Sequence, residues 1–192
     1  IVMRGMQAII KVVEYSDVDT VLDIGSWNGH HANYFRVHGK NVSTVDFNVK
    51  ADYEGNYLDL DLPQFDCIWC SHTLEHQTNP GIFLAKCWND LKDNGLLAVT
   101  VPSMEKYGTT VVDGHITYWN AGVLLYHLIL TGFDCSEARV ATYNNEVSVL
   151  VRKIKADLPR ISSDRGEIDR LSEFFPIDVS QGFDGSIKRA NW

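Results

Sequence analysis

The chain runs to 192 residues, enough for one domain with a sizeable core, and its composition is that of an ordinary globular protein. Its 17 Lys and Arg against 25 Asp and Glu leave a formal charge of -8, which excludes a general nucleic-acid surface, because phosphate binding needs clustered cations. The longest apolar stretch, residues 123–130, contains His127 and is far too short to span a bilayer, so neither a membrane nor a nucleic acid is expected as a partner.

The sequence begins at Ile1 rather than at an initiator methionine, which leaves upstream targeting open. Its four cysteines read as buried thiols, and a reducing cytoplasm suits them. Cys67 and Cys70 spell C-x-x-C, but they lie inside an apolar strand and no second C-x-x-C completes a zinc site.

In chain order, apolar positions at helical spacing (Met6, Ile9, Ile10, Val13) predict a helix within residues 1–15. A strand over 20–24 runs into a glycine turn, a helix over 30–38, and a second strand over 41–46. Residues 57–60 read as a short third strand stopped by Pro63, and the apolar run 65–70 as a central parallel fourth. Asn79 as N-cap and Pro80 at the first position start a helix with Leu84, Cys87, Trp88 and Leu91 on one face. Asp93-Asn94-Gly95 ends it, and a fifth strand over 96–101 stops at Pro102. Residues 103–117 form a long loop of the kind that carries function. Asn120 caps a helix that Gly132 ends, and strands over 135–143 and 146–153 flank the turn Asn144-Asn145. This predicts a domain over 1–155. Residues 156–192 form a polar arm or short helix with an apolar knot of Leu171, Phe174 and Phe175, through which the chain can form oligomers.

The informative stretch is Val21-Leu22-Asp23-Ile24-Gly25-Ser26-Trp27-Asn28-Gly29. Strand, glycine turn and helix open an α/β sheet that binds nucleotide-like ligands at its carboxyl ends. The glycines allow a sharp bend and close backbone approach, and the helix start offers N–H groups to an anion. Asp46 lies 21 residues beyond Gly25, at the tip of the second strand, where an acid accepts ribose hydroxyls. The dinucleotide pattern G-x-G-x-x-G fails, since Trp27 stands at its second glycine and His30 at its third.

The stretch fits hydrophobic, hydrophobic, Asp, hydrophobic, Gly-x-x-x-Gly, and residues 21–152 resemble in order the class I S-adenosylmethionine (SAM) methyltransferases, closest to the subgroup acting on small molecules and sugars. That resemblance implies a Rossmann-like α/β fold, with a seven-stranded, mostly parallel sheet, an antiparallel last strand and helices on both faces. It implies SAM as cofactor. Asp23 would orient the turn Gly25, Ser26, Trp27, Gly29 and the cofactor's amino group, with Asp46 and Phe47 at the ribose. Asp59 and the Leu60 backbone would reach the adenine, with Asp61 as a rival. Ser71 and His72 open Ser71-His72-Thr73-Leu74-Glu75-His76, which resembles the family's Leu-Glu-His signature beside the cofactor.

The same letters spell H-x-x-E-H, an inverted zinc-protease motif. That motif needs a long helix, and Asn79-Pro80 starts a new one three residues later. His115, in the long loop, matches a family histidine facing the acceptor. An imidazole titrates near working pH, so His115 is the candidate base or acceptor-orienting group, with His76 second. Tyr118 and Trp119 are candidate pocket walls, and His30 and His31 read as partly exposed residues at the helix start. Methyl transfer to a small-molecule acceptor is the expected function, and no metal is required. A catalytically idle SAM-fold scaffold and an NAD-binding oxidoreductase are the competing readings.

Overall fold

The computed structural model describes residues 3–104 and 113–192. Among them, eight strands form a single sheet in the order β3-β2-β1-β4-β5-β7-β6-β8. The strands are β1 (Thr20–Ile24), β2 (Asn41–Asp46), β3 (Tyr53–Glu54), β4 (Phe65–Ser71), β5 (Leu91–Pro102), β6 (Arg139–Tyr143), β7 (Glu146–Arg152) and β8 (Arg189–Ala190). The helices are α1 (Met6–Val13), α2 (His30–Val37), α3 (Pro80–Asp90), α4 (Ala121–Thr131) and α5 (Glu167–Leu171). Strands β1 to β5 pair in parallel, and β7 runs antiparallel to both β5 and β6. The sheet thus has one strand more than the seven expected, because the end of the chain returns to add β8 to the edge of β6.

The central strands are buried on both faces, which is why their sequences are apolar without alternation. In β4, Ile68 and Cys70 join the core under α3 and α4, whereas Cys67 and Trp69 join the opposite core under α1 and α2. The two thiols of the C-x-x-C therefore lie on opposite faces, and both are free and buried. Trp69 meets Phe35 of α2 edge to face at 5.5 Å, so cutting Phe35 back to alanine would cost about 3–5 kcal/mol.

Three local expectations change. Residues 57–60 are not a strand; Tyr57–Asp59 is a 3₁₀ turn in which the Asn56 side chain accepts the Leu58 amide, and the third strand lies earlier, in β3. Asn79 precedes α3 without a capping bond from its side chain, whereas Asn120 does cap α4 by accepting the Val123 amide at 2.8 Å. Strand β6 begins at Arg139, because residues 134–138 form a turn closed by Asp134 and Cys135.

Residues 156–192 fold back on their own chain. Leu171, Phe174, Phe175, Val179 and Ile187 enter the core under α3 and α4. The Gly122 amide donates to the Gly185 carbonyl at 2.8 Å, and a Cβ on Gly122 would come within 2.4 Å of Gly185 Cα. Only glycine lets this segment seat on α4 so closely.

Candidate active site

The parallel strands end together at one rim, and the turns leaving them build a cleft of about 480 Å³. Its walls include Gly25, Ser26, Trp27, Ser71 and His72, with Arg4 reaching in from the segment before α1. The bend after β1 depends on Gly25, at φ 74°, where an added Cβ would stand 2.4 Å from Thr73 Oγ1. Thr73 itself ties the β4 exit to β1 by donating to the Ile24 carbonyl at 3.0 Å. Gly29, at φ 72°, is the N-cap of α2. Trp27 takes a left-handed φ of 42°, and its ring stands at the rim, the residue being 70% exposed. The indole flanks the cleft rather than plugging it.

Asp46 sits behind the bend. One of its oxygens accepts the Trp27 amide at 2.8 Å, and the other accepts the amides of Asn48 at 2.8 Å and Val49 at 3.3 Å. Asp23 is buried, and its Oδ2 has no hydrogen-bond partner among the described residues. Burial pushes its pKa up to about 7, against a downward pull from the Ala32 amide in the first turn of α2. The buried Ser71 hydroxyl also lacks a partner among the described residues. Phe47 is exposed beside Asp46, and Asp59 and Leu60 stand outside the cleft wall, Asp59 accepting from the Asn56 side chain at 3.1 Å.

A second cavity of about 210 Å³ adjoins the first, the two sharing Met3, Arg4 and His72. It is lined also by His115, Asn144 and Glu146. His72, at φ 56°, donates from Nε2 to Glu146 at 3.1 Å, while Arg4 donates to its Nδ1 at 3.1 Å. Burial disfavours a cation on His72, yet Glu146 and Glu75 outweigh it and raise the pKa. Arg4 competes for the position of the second proton. Glu146 also accepts the Gly5 amide at 2.9 Å, which pins the segment before α1 across the cleft.

His115 is buried, and burial lowers its pKa, so the neutral imidazole dominates at neutral pH. Its ring meets that of His76 edge to face at 5.1 Å. Between them and His72 lies Glu75, 1% exposed, with no hydrogen-bond partner on either carboxylate oxygen among the described residues. Trp119 is buried in the core, and Tyr118 lines a small crevice beside Glu75 and His115. Residues 105–112 of the long loop lie outside the described residues.

The structure thus brings Gly25, Ser26, Trp27, Ser71 and His72 into one cleft and places His115 in the next cavity. His31, at the start of α2 and partly exposed as expected, lines the cleft together with His30. It donates to the Arg4 carbonyl at 2.9 Å and packs against Trp69. Arg4, Glu75 and Glu146 are absent from the sequence-derived set. Glu75 had a signal in the middle of Leu-Glu-His, but Arg4 and Glu146 are brought in only by the fold.

The family described as "Methyltransferase domain" matches residues 7–137. The chain belongs to that family. Solved structures carry the same fold at low identity. A 1,6-didemethyltoxoflavin-N1-methyltransferase from Burkholderia thailandensis, with 1,6-didemethyltoxoflavin and S-adenosylhomocysteine bound, shares 18% identity at TM-score 0.63. That match covers 79% of this chain and 77% of the other. A SAM-dependent methyltransferase from Aquifex aeolicus shares 16% at 0.63, covering 79% and 90%. One from Archaeoglobus fulgidus shares 16% at 0.59, covering 78% and 94%. No protein of curated function matches the sequence. The strand order and the antiparallel β7 make this methyltransferase a class I fold.

Proposed function

We propose that the chain transfers a methyl group from SAM to a small-molecule acceptor, a sugar, polysaccharide terminus or ring bearing a hydroxyl or amine. The observation that carries this is the pair of cavities meeting at His72, one at the glycine bend and one at His115. The first fits the donor. Its wall includes Ser71, whose buried hydroxyl lacks a partner among the described residues, and it lies beside a bend that only glycine can make. Asp23, with a buried oxygen likewise unpartnered among the described residues, precedes that bend on β1. Asp23 would meet the donor's ammonium group, Asp46 the ribose hydroxyls, and the turn Gly25 to Gly29 the methionine portion. The Burkholderia relative was crystallised with a small heterocycle beside S-adenosylhomocysteine, which supports an acceptor of that size class.

When bound, SAM supplies an electrophilic methyl group on a sulfonium. The protein's task is to aim the acceptor and exclude water. As the new bond to the methyl carbon forms, the sulfur–carbon bond breaks and S-adenosylhomocysteine leaves. His115 orients the acceptor or takes the proton that a hydroxyl or protonated amine gives up, with His76 behind it. Isothermal titration against SAM, S-adenosylhomocysteine and NAD tests the first half, and binding of NAD alone would overturn it. A panel of acceptors with isotopically labelled methyl donor tests the second. SAM binding with no labelled product across sugars, phenols and amines would favour an idle scaffold.

A further inference from the structure

A second feature of this site was not expected from the sequence, which called for no metal. Glu75, His76 and His115 place one donor atom each within 4.8 Å of one another. Glu75 Oε1 lies 3.9 Å from His76 Nε2 and 3.9 Å from His115 Nε2. The carboxylate is nearly inaccessible and neither oxygen has a hydrogen-bond donor among the described residues. Its nearest nitrogen is His72 Nδ1 at 3.3 Å, which Arg4 also meets at 3.1 Å.

The tautomer of His76 sharpens the point. Its Nδ1–H donates to the Gly114 carbonyl at 3.0 Å. That leaves the lone pair of Nε2 on the side of the carboxylate, 3.9 Å from Oε1. A histidine whose far nitrogen is held by a backbone carbonyl is the usual arrangement of a metal ligand. The frame is also set before any ion arrives. The amides of Ile116 and Thr117 both donate to the Glu75 carbonyl, at 2.9 and 3.1 Å, and the Thr117 hydroxyl donates to Leu74. These bonds lock the segment carrying His115 to the turn carrying Glu75 and His76.

We propose that Glu75, His76 and His115 bind one divalent transition-metal ion of the zinc type, which presents the acceptor's oxygen to the donated methyl. Two imidazoles and one carboxylate favour zinc, cobalt or iron over magnesium or calcium, which prefer all-oxygen sites. Bonds of ordinary zinc length would set the donors about 3.4 Å apart, so each histidine closes on Glu75 from 3.9 Å and the two imidazoles draw together from within 4.8 Å. Three protein ligands leave a position open for a hydroxyl, whose ionisation the ion favours, its proton passing to solvent water. The inference rests on the methyl-transfer reading above only for the acceptor, and it narrows that class to oxygen nucleophiles. With the ion bound, His115 acts on the acceptor as a ligand to the metal rather than as the base.

The test uses the full chain, stripped with a chelator and dialysed, then titrated with Zn²⁺ by calorimetry and with Co²⁺ by visible absorption. One equivalent of each should bind, cobalt giving the intense bands of a low-coordinate site. Glu75→Gln and His76→Ala should each weaken binding by more than the roughly 10- to 100-fold that loss of an outer hydrogen-bond partner costs. His38→Ala, far from the cluster, should retain it. Circular dichroism establishes that each variant is folded, and His76 is exposed enough for its truncation to spare the core. No saturable binding in the wild type, or cobalt spectra unchanged in both Glu75→Gln and His76→Ala, overturns the proposal. SAM titrated into the stripped chain separates the two readings. Donor binding and methyl transfer without metal would overturn the metal site alone, whereas metal binding without donor binding would overturn the methyl-transfer reading alone.

Discussion

Two carboxylates at the same rim of the sheet are treated in opposite ways. Asp46 closes β2 and receives three backbone amides, two at 2.8 Å and one at 3.3 Å. Glu75 follows β4, is more deeply buried, and receives no hydrogen bond on either oxygen among the described residues. An ionised group without donors in such a place costs several kcal/mol, whereas one met by amides stabilises the loops that supply them. The first carboxylate therefore shapes the backbone around the cleft. The second is a destabilised position held in place by its surroundings, and its energetic deficit is one that a ligand can offset. Asp23 lies between the two cases: an amide in the first turn of α2 favours its ionised form, yet one oxygen has no partner.

The largest break in this contrast is expected at Asp46. Asp46→Ala removes the acceptor for Trp27, Asn48 and Val49 together, and should lower unfolding free energy by at least about 3 kcal/mol, the worth of one or two bonds to a charged group at roughly 1.5–3 kcal/mol each, with water taking over the remaining loop amides. Affinity for SAM should fall on the order of 100-fold, which corresponds to about 2.7 kcal/mol. Urea denaturation and calorimetry measure the two effects separately. A variant that loses stability but keeps its affinity would confine Asp46 to loop architecture and remove it from the ribose site.

Asp23 comes next, through pH. Its folded-state pKa of about 7 lies above the model-peptide value of 3.8 because burial penalises the charge. The sign follows directly: this group favours folding below about pH 4, and that contribution is lost as pH rises toward 7. In the same window SAM affinity should rise, because the donor's ammonium group meets a carboxylate only after the proton leaves. Below pH 7 the slope should approach about tenfold per pH unit, the limit for one coupled proton. Asp23→Asn should flatten both profiles. An unchanged affinity profile in that variant would assign the proton to another group.

Much of this arrangement is legible in the sequence, for reasons that individual residues show. The apolar runs of β1 and β2 end in the glycine bend and in Asp46, so composition marks both their limits and their chemistry. The antiparallel pair β6 and β7 is legible because Asn144 and Asn145 both adopt the left-handed backbone that such a turn requires. Residues 57–60 misled because Tyr57, Leu58 and Leu60 look like a strand, whereas the local bond from Asn56 and a third strand of only two residues leave no periodicity to read. The contacts of Arg4 with His72, and of Glu146 with Gly5, join segments 68 and 141 positions apart. No local pattern encodes them. Glu75 was visible as a letter of a motif, but its lack of donors is a property of packing.

The smallest expected effect inverts the sign of the first. Glu75→Gln keeps the shape of the side chain and removes a buried carboxylate that no hydrogen-bond donor meets among the described residues. The amide can donate toward the Nε2 lone pair of His76, which now faces only an acceptor. The metal-free variant should therefore be more stable than the wild type by about 1 kcal/mol, the worth of one recovered hydrogen bond. In a chain of this size that raises the thermal midpoint by about 2–4 °C. Adding Zn²⁺ should reverse the ranking, stabilising the wild type by mass action and leaving the variant unchanged. Two thermal melts, with and without the ion, read both signs. A Glu75→Gln chain less stable than the wild type in the absence of metal would mean that the carboxylate is already satisfied by the His72 imidazole 3.3 Å away, and the contrast with Asp46 would dissolve.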